Sequence, residues 1–259
     1  MNYGFYMATS GMLSGSHALD VAANNLANIE TAGFKVDRAM IRQRQPARVE
    51  DGLFDLPSNV MLERLGGGVT PWPTRIDFGQ GSLEFTEDPL HAAIRGDGFF
   101  VVRDGGDGEQ PLRLTRDGRF IMNADGRLVT HDQGLPVLDA EERPIRLDPS
   151  QLVEITGRGE IHQGGAPVAQ LAVVDVPDRQ ALVKTGDGLF TGPAGVMRSL
   201  AAVENPLVRG GAFERSGADP IKALNAVRSA SSMAQRNARM IEIHNDTMRL
   251  AISRLGQIG

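Results

Sequence analysis

Five histidines, His17, His91, His131, His162 and His244, are the residues best suited to hold a metal or move a proton near neutral pH. None stands at a metal-ligand spacing from another histidine or from a carboxylate pair, so surface or turn positions account for them. The run Asp104-Gly105-Gly106-Asp107-Gly108 has the oxygen-rich, glycine-broken character of a calcium turn. It is a single copy without the terminal bidentate glutamate of an EF-hand loop, and it reads as a hairpin tip. The chain has no cysteine, which removes disulfides, thiolate metal sites and cysteine nucleophiles together. It has no Gly-x-Ser-x-Gly elbow and no phosphate loop followed by Lys and Ser or Thr. An enzyme therefore has no constellation to stand on, and no cofactor, metal or small-molecule substrate is expected.

The patterned chemistry is that of packing, and it lies at the two ends. From Phe5 a stripe with alternating spacings of three and four runs through Ala8, Met12, Gly15, Leu19, Ala22 and Leu26 to Ile29. A second runs from Leu224 through Val227, Ser231, Ala234, Ala238, Ile241, Asn245, Met248 and Ile252 to Leu255. Such alternation over four heptads puts every named side chain on one narrow seam, the geometry of a coiled coil rather than of a broad core face. Large knobs alternate with small gaps in the first seam, and Ser231, Ala234 and Ala238 are small in the second, so both suit close approach. A helix of about 30 residues is about 45 Å long, and an apolar seam of that length needs a partner. The helices pair with each other, or assembly with further copies buries them.

The chain enters a separate body from the first helix and leaves it for the last. Between Ile76 and Phe213 short β-rich runs are cut by Asp-Gly and Gly-Pro punctuation, which predicts an all-β sandwich or irregular barrel. Leu112–Thr115, Asp117-Gly118 and Arg119–Met122 predict a hairpin with positive φ supplied by Asp-Gly. Asn123–Gly126 turns the chain again into Arg127–Thr130, and Leu171–Val176 is the most strand-like run of the second half. The Asp-Gly pairs at Asp97, Asp125 and Asp187 are further turn chemistry. Residues 41–75 hold Pro46, Pro57, Pro71, Pro73, Gly66–Gly68 and the single tryptophan, Trp72, with no clear period. They read equally as an extended arm or as a flexible linker. The expected fold is mainly β with terminal α-helices. A discontinuous coiled-coil helical domain takes residues 1–40 and 216–259, the arm takes 41–75, and a β-rich body takes 76–215.

The 259 residues carry a net charge of −5, unevenly spread. From Pro220 to Leu255, Lys222, Arg228, Arg236, Arg239, Arg249 and Arg254 face only Glu242 and Asp246, a net +4 that leaves −9 elsewhere. This basic helix has no aromatic residue to stack on bases, and the acidic remainder repels phosphate, which argues against nucleic acid. No Lys or Arg precedes Lys35 and no stretch approaches 18 apolar residues, so a secretory signal and a membrane span are not expected. On those grounds alone the chain would be placed in the cytoplasm.

Where the first helix ends, Ala22–Lys35 reads AANNLANIETAGFK. Asn24, Asn25 and Asn28 are poor helix formers near a helix end, and Gly33 suits a cap or turn. The string resembles the N-terminal signature of the bacterial flagellar basal-body rod and hook proteins, and the resemblance continues through Phe78–Val101 and Leu114–Val129. Near the last helix the chain departs from the family pattern: Ser216-Gly217-Ala218-Asp219-Pro220-Ile221 keeps only the Ser, the Pro and an aliphatic residue. Gln235-Arg236-Asn237-Ala238 replaces the family's Arg-x-aromatic-Glu element. The length suits the FlgF-like and FlgG-like rod types better than the longer hook protein, and the end, Met240-Ile241 to Leu255, looks closer to the proximal-rod, FlgF-like type than to the distal-rod, FlgG-like type.

This resemblance implies a structural axial protein of the flagellar rod that assembles through its terminal helices with copies of itself and with other rod subunits. It implies export by the flagellum's type III apparatus without a cleaved signal peptide and a place in the periplasmic rod, which replaces the cytoplasmic expectation. The residues expected at the assembly interface are Phe5, Ala8, Met12, Leu19, Ala22 and Leu26 on the first helix, and Asn24, Asn25, Asn28, Gly33 and Phe34 at its junction. On the last helix they are Leu224, Val227, Ala234, Ala238, Ile241, Met248, Ile252 and Leu255. The rival reading is a secreted β-domain adhesin with a helical stalk.

Overall fold

The computed structural model describes residues 3–50, 52, 66–105 and 111–255. The calcium-like run thus lies partly outside the described residues. The chain divides into two compact units, one discontinuous: residues 1–27, 37–75 and 220–259 form the first, and residues 28–36 and 76–219 the second.

The first unit is built on two long helices, Tyr3–Ala27 and Pro220–Leu255. The C-terminal one opens on Pro220, whose fixed φ suits a first helical position. A Cβ placed on Gly4 would meet the His244 ring, one on Gly11 the Asn237 amide, and one on Gly15 the backbone of Ala234. Ascending positions on one helix meet descending positions on the other, so the two run antiparallel. Beside them lies a two-stranded ribbon of β1 (Val36–Gln43) and β2 (Val69–Asp77), which overlap the two ends of the stretch where the sequence shows no period. The ribbon is antiparallel, extended by an Arg44 N–H to Gly68 carbonyl bond of 3.0 Å and a bridge between Pro46 and Gly66. Trp72 on β2 lies under the Arg42 guanidinium, 4.9 Å from the ring centroid. Among the described residues no helix is long and apolar enough to cross a membrane.

The strands described in the second unit pair antiparallel. Its six-stranded sheet has the order β13 (Val183–Gly186), β14 (Leu189–Thr191), β6 (Leu112–Thr115), β5 (Phe99–Arg103), β12 (Val173–Asp175), β15 (Ala201–Ala202). A three-stranded sheet joins β9 (Val153–Ile155), β10 (Glu160–Gln163) and β11 (Ala166–Gln170). Three ribbons complete it: β7 (Phe120–Met122) with β8 (Leu128–Thr130), β4 (Ala92–Ile94) with β16 (Val208–Gly210), and β3 (Leu83–Phe85) with β17 (Ala212–Glu214). Strand β5 shows why Phe99-Phe100-Val101-Val102 is an unbroken apolar run. Alternate side chains point to opposite faces, so Phe100 and Val102 enter one core with Phe120, Leu128 and Ile161, while Phe99 and Val101 enter a second with Leu114, Leu138 and Phe190. A strand covered on both faces loses the polar half of its alternation.

One predicted hairpin is absent, and the reason is local. Strand β6 pairs with β5 and β14, whereas β7 pairs with β8, so Asp117-Gly118 joins two sheets instead of closing one. The Asp117 carboxylate accepts from the Arg119 N–H at 3.0 Å and from its guanidinium at 2.7 and 3.0 Å, which turns the chain without positive φ. Gly118 is needed for closeness: a Cβ there would lie only 1.5 Å from the Ala92 carbonyl oxygen. The turn at Asn123–Gly126 does close a hairpin between β7 and β8, with Gly126 at φ 72° and the Asn123 side chain accepting from the Asp125 and Arg127 amides. Asp187-Gly188, at φ 49° and 73°, closes the β13–β14 hairpin as a two-residue turn with both φ positive.

Candidate functional site

The surface between the two long helices is made of small residues. Ala8, Gly11, Ser14, Gly15, Ala22 and Asn25 are the buried positions of the N-terminal helix, and Ala223 and Ala230 those of the C-terminal one. A shallow groove of about 300 Å³ brings Ala18, Ala22 and Asn25 beside Ala226, Ala230 and Met233. With so few large side chains in the way, backbones approach closely, and the Cβ of an alanine at Gly15 would sit 2.9 Å from the Ala234 nitrogen.

This divides the residues singled out from the sequence into two sets. Ala8 and Ala22 lie buried on the seam, and Val227, Ala234, Ala238 and Ile241 are half-buried on the facing helix. The large residues lie beside the seam rather than in it: Leu19 and Leu26 are half-buried, while Phe5 and Met12 are 37% and 38% exposed. Leu224, Met248 and Ile252 are exposed on the C-terminal helix, and the side chain of Leu255 lies outside the described residues. Sequence reasoning passed over Tyr6 and Leu13, which are 57% and 59% exposed and extend the apolar row next to Phe5 and Met12. Beyond His244, which meets Gly4, the C-terminal helix continues for about 16 Å. That stretch carries exposed Met248, Leu250 and Ile252.

The junction residues have separate jobs. Asn25 reads the backbone of Asp37 as a neighbouring strand would: its amide donates to the Asp37 carbonyl at 2.7 Å and its oxygen accepts from the Asp37 N–H at 2.9 Å. That pair fixes where β1 begins relative to the helix. Asn24 is exposed, and the Asn28 side-chain oxygen accepts from the Thr31 hydroxyl at 3.1 Å. Gly33 needs to be glycine on two counts, with φ at 66° and a Cβ position 2.4 Å from the Arg116 carbonyl carbon. Phe34 is buried under the Lys184 ammonium, 3.9 Å from the ring centroid.

A buried charge cluster in the β body has no counterpart in the sequence reading. Lys35 Nζ lies 2.6 Å from one Glu214 carboxylate oxygen, and the Arg116 guanidinium 3.2 Å from the other, with all three side chains at most 3% exposed. Burial is the main cause that holds both the Lys35 and the Arg116 pKa below their ordinary values, against the opposing pull of Glu214. Lysine is almost never buried unless paired, and the partner here is 179 residues away, so no local signal could reveal it.

The histidines do not converge. His91 Nδ1 lies 2.9 Å from the Thr86 hydroxyl, His131 pairs with Asp132, His162 with Glu160, and His17 and His244 belong to the two helices. Among the described residues no group of three or more His, Cys, Asp or Glu is placed to hold a metal ion.

Helices contributed by both chain ends, carrying an apolar row outside their own seam, together with an antiparallel β body define an assembling, structural class of subunit. Residues 5–35 match the family described as "Flagella basal body rod protein", and residues 93–163 match the "Flagellar hook protein FlgE/F/G D1 domain". The chain is 32% identical to the flagellar basal-body rod protein FlgF of Caulobacter vibrioides over the whole of both chains. It is 26% identical to FlgF of Mesorhizobium japonicum over 99% of each. With the rod protein FlgG of Buchnera aphidicola it shares 29% identity over 71% of this chain and 72% of that one. The chain belongs to the flagellar basal-body rod protein family, which is a family of structural proteins. Its similarity runs end to end with these two FlgF proteins and over about seven-tenths of its length with this FlgG.

Proposed function

We propose that this chain is a structural subunit of the bacterial flagellar basal-body rod, of the FlgF-like proximal type, that assembles through its terminal helices. The observation that carries the reading is the apolar row left outside the helix pair. The seam between the helices is filled by small residues, yet Phe5, Tyr6, Met12 and Leu13 remain exposed, as do Met240, Ile243, Met248 and Ile252. Exposed apolar surface of this extent marks an interaction site. The occupants are copies of the chain and other basal-body components, joined by coiled-coil packing of the seams and the rows beside them. Contacts of this kind, when they do not close on themselves, build open helical tubes.

The same reading places the subunit in the periplasmic part of the rod, delivered by the flagellum's type III export apparatus without removal of a signal peptide. Asn24, Asn25, Asn28, Gly33 and Phe34 serve at the helix-to-body junction, and the body, sandwich-like or irregularly barrelled, forms the outer layer. Membership of the rod family sets aside the adhesin reading.

The test is genetic. Deleting the gene from its source bacterium should abolish swimming and rod completion, and the wild-type gene on a plasmid should restore both. A deletion strain that swims normally would refute the proposal.

A further inference from the structure

Separate segments of the β body meet on one carboxylate. Glu214 Oε1 accepts from the Lys35 ammonium and from the Gly81 N–H, each at 2.6 Å, and Oε2 accepts from Arg116 Nη1 at 3.2 Å. The Glu214 backbone carbonyl accepts from the Gly33 N–H at 2.7 Å. The outer ends of the cations are also used: Lys35 donates to the Gly79 carbonyl at 3.0 Å and Arg116 Nη2 to the Gly96 carbonyl at 2.8 Å. Around this centre the Gly217 N–H donates to the Phe34 carbonyl and the Arg215 N–H to the Ser82 carbonyl, both at 2.9 Å.

The segments so joined lie beside three of the four points at which the chain crosses between its two units. Residues 33–35 lie just before it first leaves the β body, 79–82 where it enters again from β2, and 214–217 where it leaves for the C-terminal helix. A buried carboxylate facing two cations is a poor way to gain stability, because apolar groups of equal volume often do as well or better. What such a network supplies is register: a shift of one residue in any of the three segments would leave a buried charge short of a hydrogen-bond partner. The Arg116 guanidinium reaches the second hydrophobic core, 5.2 Å from the Phe99 ring centroid, but none of the hydrogen bonds of this network is made by a member of either core.

We propose that Glu214 is a clamp residue that locks three of the four chain crossings of the β body into one register, as a local unit that opens independently of the hydrophobic cores. In a rod subunit this positions the point from which the chain departs toward its assembling helices, a consequence that rests on the function proposed above.

Amide hydrogen exchange on the full-length chain tests it. In Glu214→Gln the amide of Gly81, bonded to the carboxylate itself, and those of Gly33 and Gly217, bonded within the same local unit, should exchange at least about tenfold faster, because neutralising the carboxylate weakens its charged hydrogen bonds and eases local opening. The amides of Leu128, Leu138 and Ala172, bonded within the core region, should stay within about twofold of wild type if opening is local. Equal acceleration everywhere, or none at the three glycines, overturns the clamp, and so does failure of this variant to fold, since the cores are claimed to stand without it. Lys35→Met, which leaves Glu214 paired with Arg116, should give the same local pattern at Gly33 and Gly81; uniform acceleration in it also overturns the proposal. Folded Glu214→Gln should swim poorly, and normal swimming would overturn the positioning role. Normal swimming of the gene deletion strain, by contrast, would refute the rod function and leave the exchange result standing.

Discussion

Replacing Gly15 sets two effects of known sign against each other. In an exposed helix interior, Gly→Ala stabilises by about 1 kcal/mol through helix propensity. At Gly15 the added methyl would sit 2.9 Å from the Ala234 nitrogen and 3.1 Å from its Cα, backbone atoms that no rotamer change can move aside. Carbon contacts are optimal near 3.5–4.0 Å, so the helices must part locally by roughly 0.5 Å. Overpacking of this kind costs about 1–3 kcal/mol, which cancels or exceeds the propensity gain. Gly15→Ala should therefore lie between neutral and about 2 kcal/mol destabilised, and Gly15→Leu, with three further carbons against the same backbone, should lose about 3 kcal/mol or more. The chain supplies its own probe. Its one tryptophan, Trp72, and both tyrosines, Tyr3 and Tyr6, belong to the helical unit, so urea unfolding followed by fluorescence excited at 295 nm reports on that unit alone. Gly195→Ala, in a short helix of the other unit with nothing within 4 Å of the new carbon, is the control and should leave the Trp72 transition unchanged. If Gly15→Ala instead stabilised the helical unit by the full propensity gain, the close antiparallel approach of the two helices would be refuted.

Three further outcomes are expected. Asn25→Ala removes both bonds to the Asp37 backbone and should cost about 1 kcal/mol for each, read by the same Trp72 fluorescence; an unchanged midpoint would show that Asn25 does not anchor β1. Gly33→Ala forces a side chain onto φ 66° and against the Arg116 carbonyl carbon, and should destabilise the β body by more than about 1 kcal/mol in a circular-dichroism melt. A neutral result would mean that the turn can relax. The Arg179 guanidinium, bonded at 2.6 Å, holds the Asp97 carboxyl below its ordinary pKa. Its contribution to stability is full above the unfolded pKa and is lost as pH falls through the lower folded value. Asp97→Asn should thus flatten part of the fall in body stability below about pH 4, and an unchanged acid slope would contradict the assignment.

The helices, their period and the β character of the middle were legible because they rest on local patterns. The phase of the seam was only half legible. A search for apolar periodicity weights large side chains, so it selected Phe5, Met12, Leu19 and Leu26, whereas the chain pairs its own helices through Gly4 and Gly11, one residue before Phe5 and Met12. Ala8, Gly15 and Ala22 belong to both patterns. Glycine contributes no hydrophobic signal, and its value at a seam lies in the approach it permits, which only the partner helix reveals. Asp117-Gly118 misled for a related reason: the dipeptide fits a hairpin by itself, and the closeness of Ala92 that demands glycine there is a tertiary fact. The Lys35–Glu214–Arg116 cluster lay furthest from view, since it joins residues from three distant parts of the chain.

The central claim, assembly into the rod through the apolar row beside the helix seam, is tested most directly by recovering basal bodies from a deletion strain that expresses either the wild-type chain or Tyr6→Asp/Leu13→Asp. Both substituted side chains are more than half exposed, so the variant should fold with wild-type helix content. Quantifying the chain in purified basal bodies should find wild type present and the folded variant absent. The variant at wild-type abundance in those particles would contradict the account.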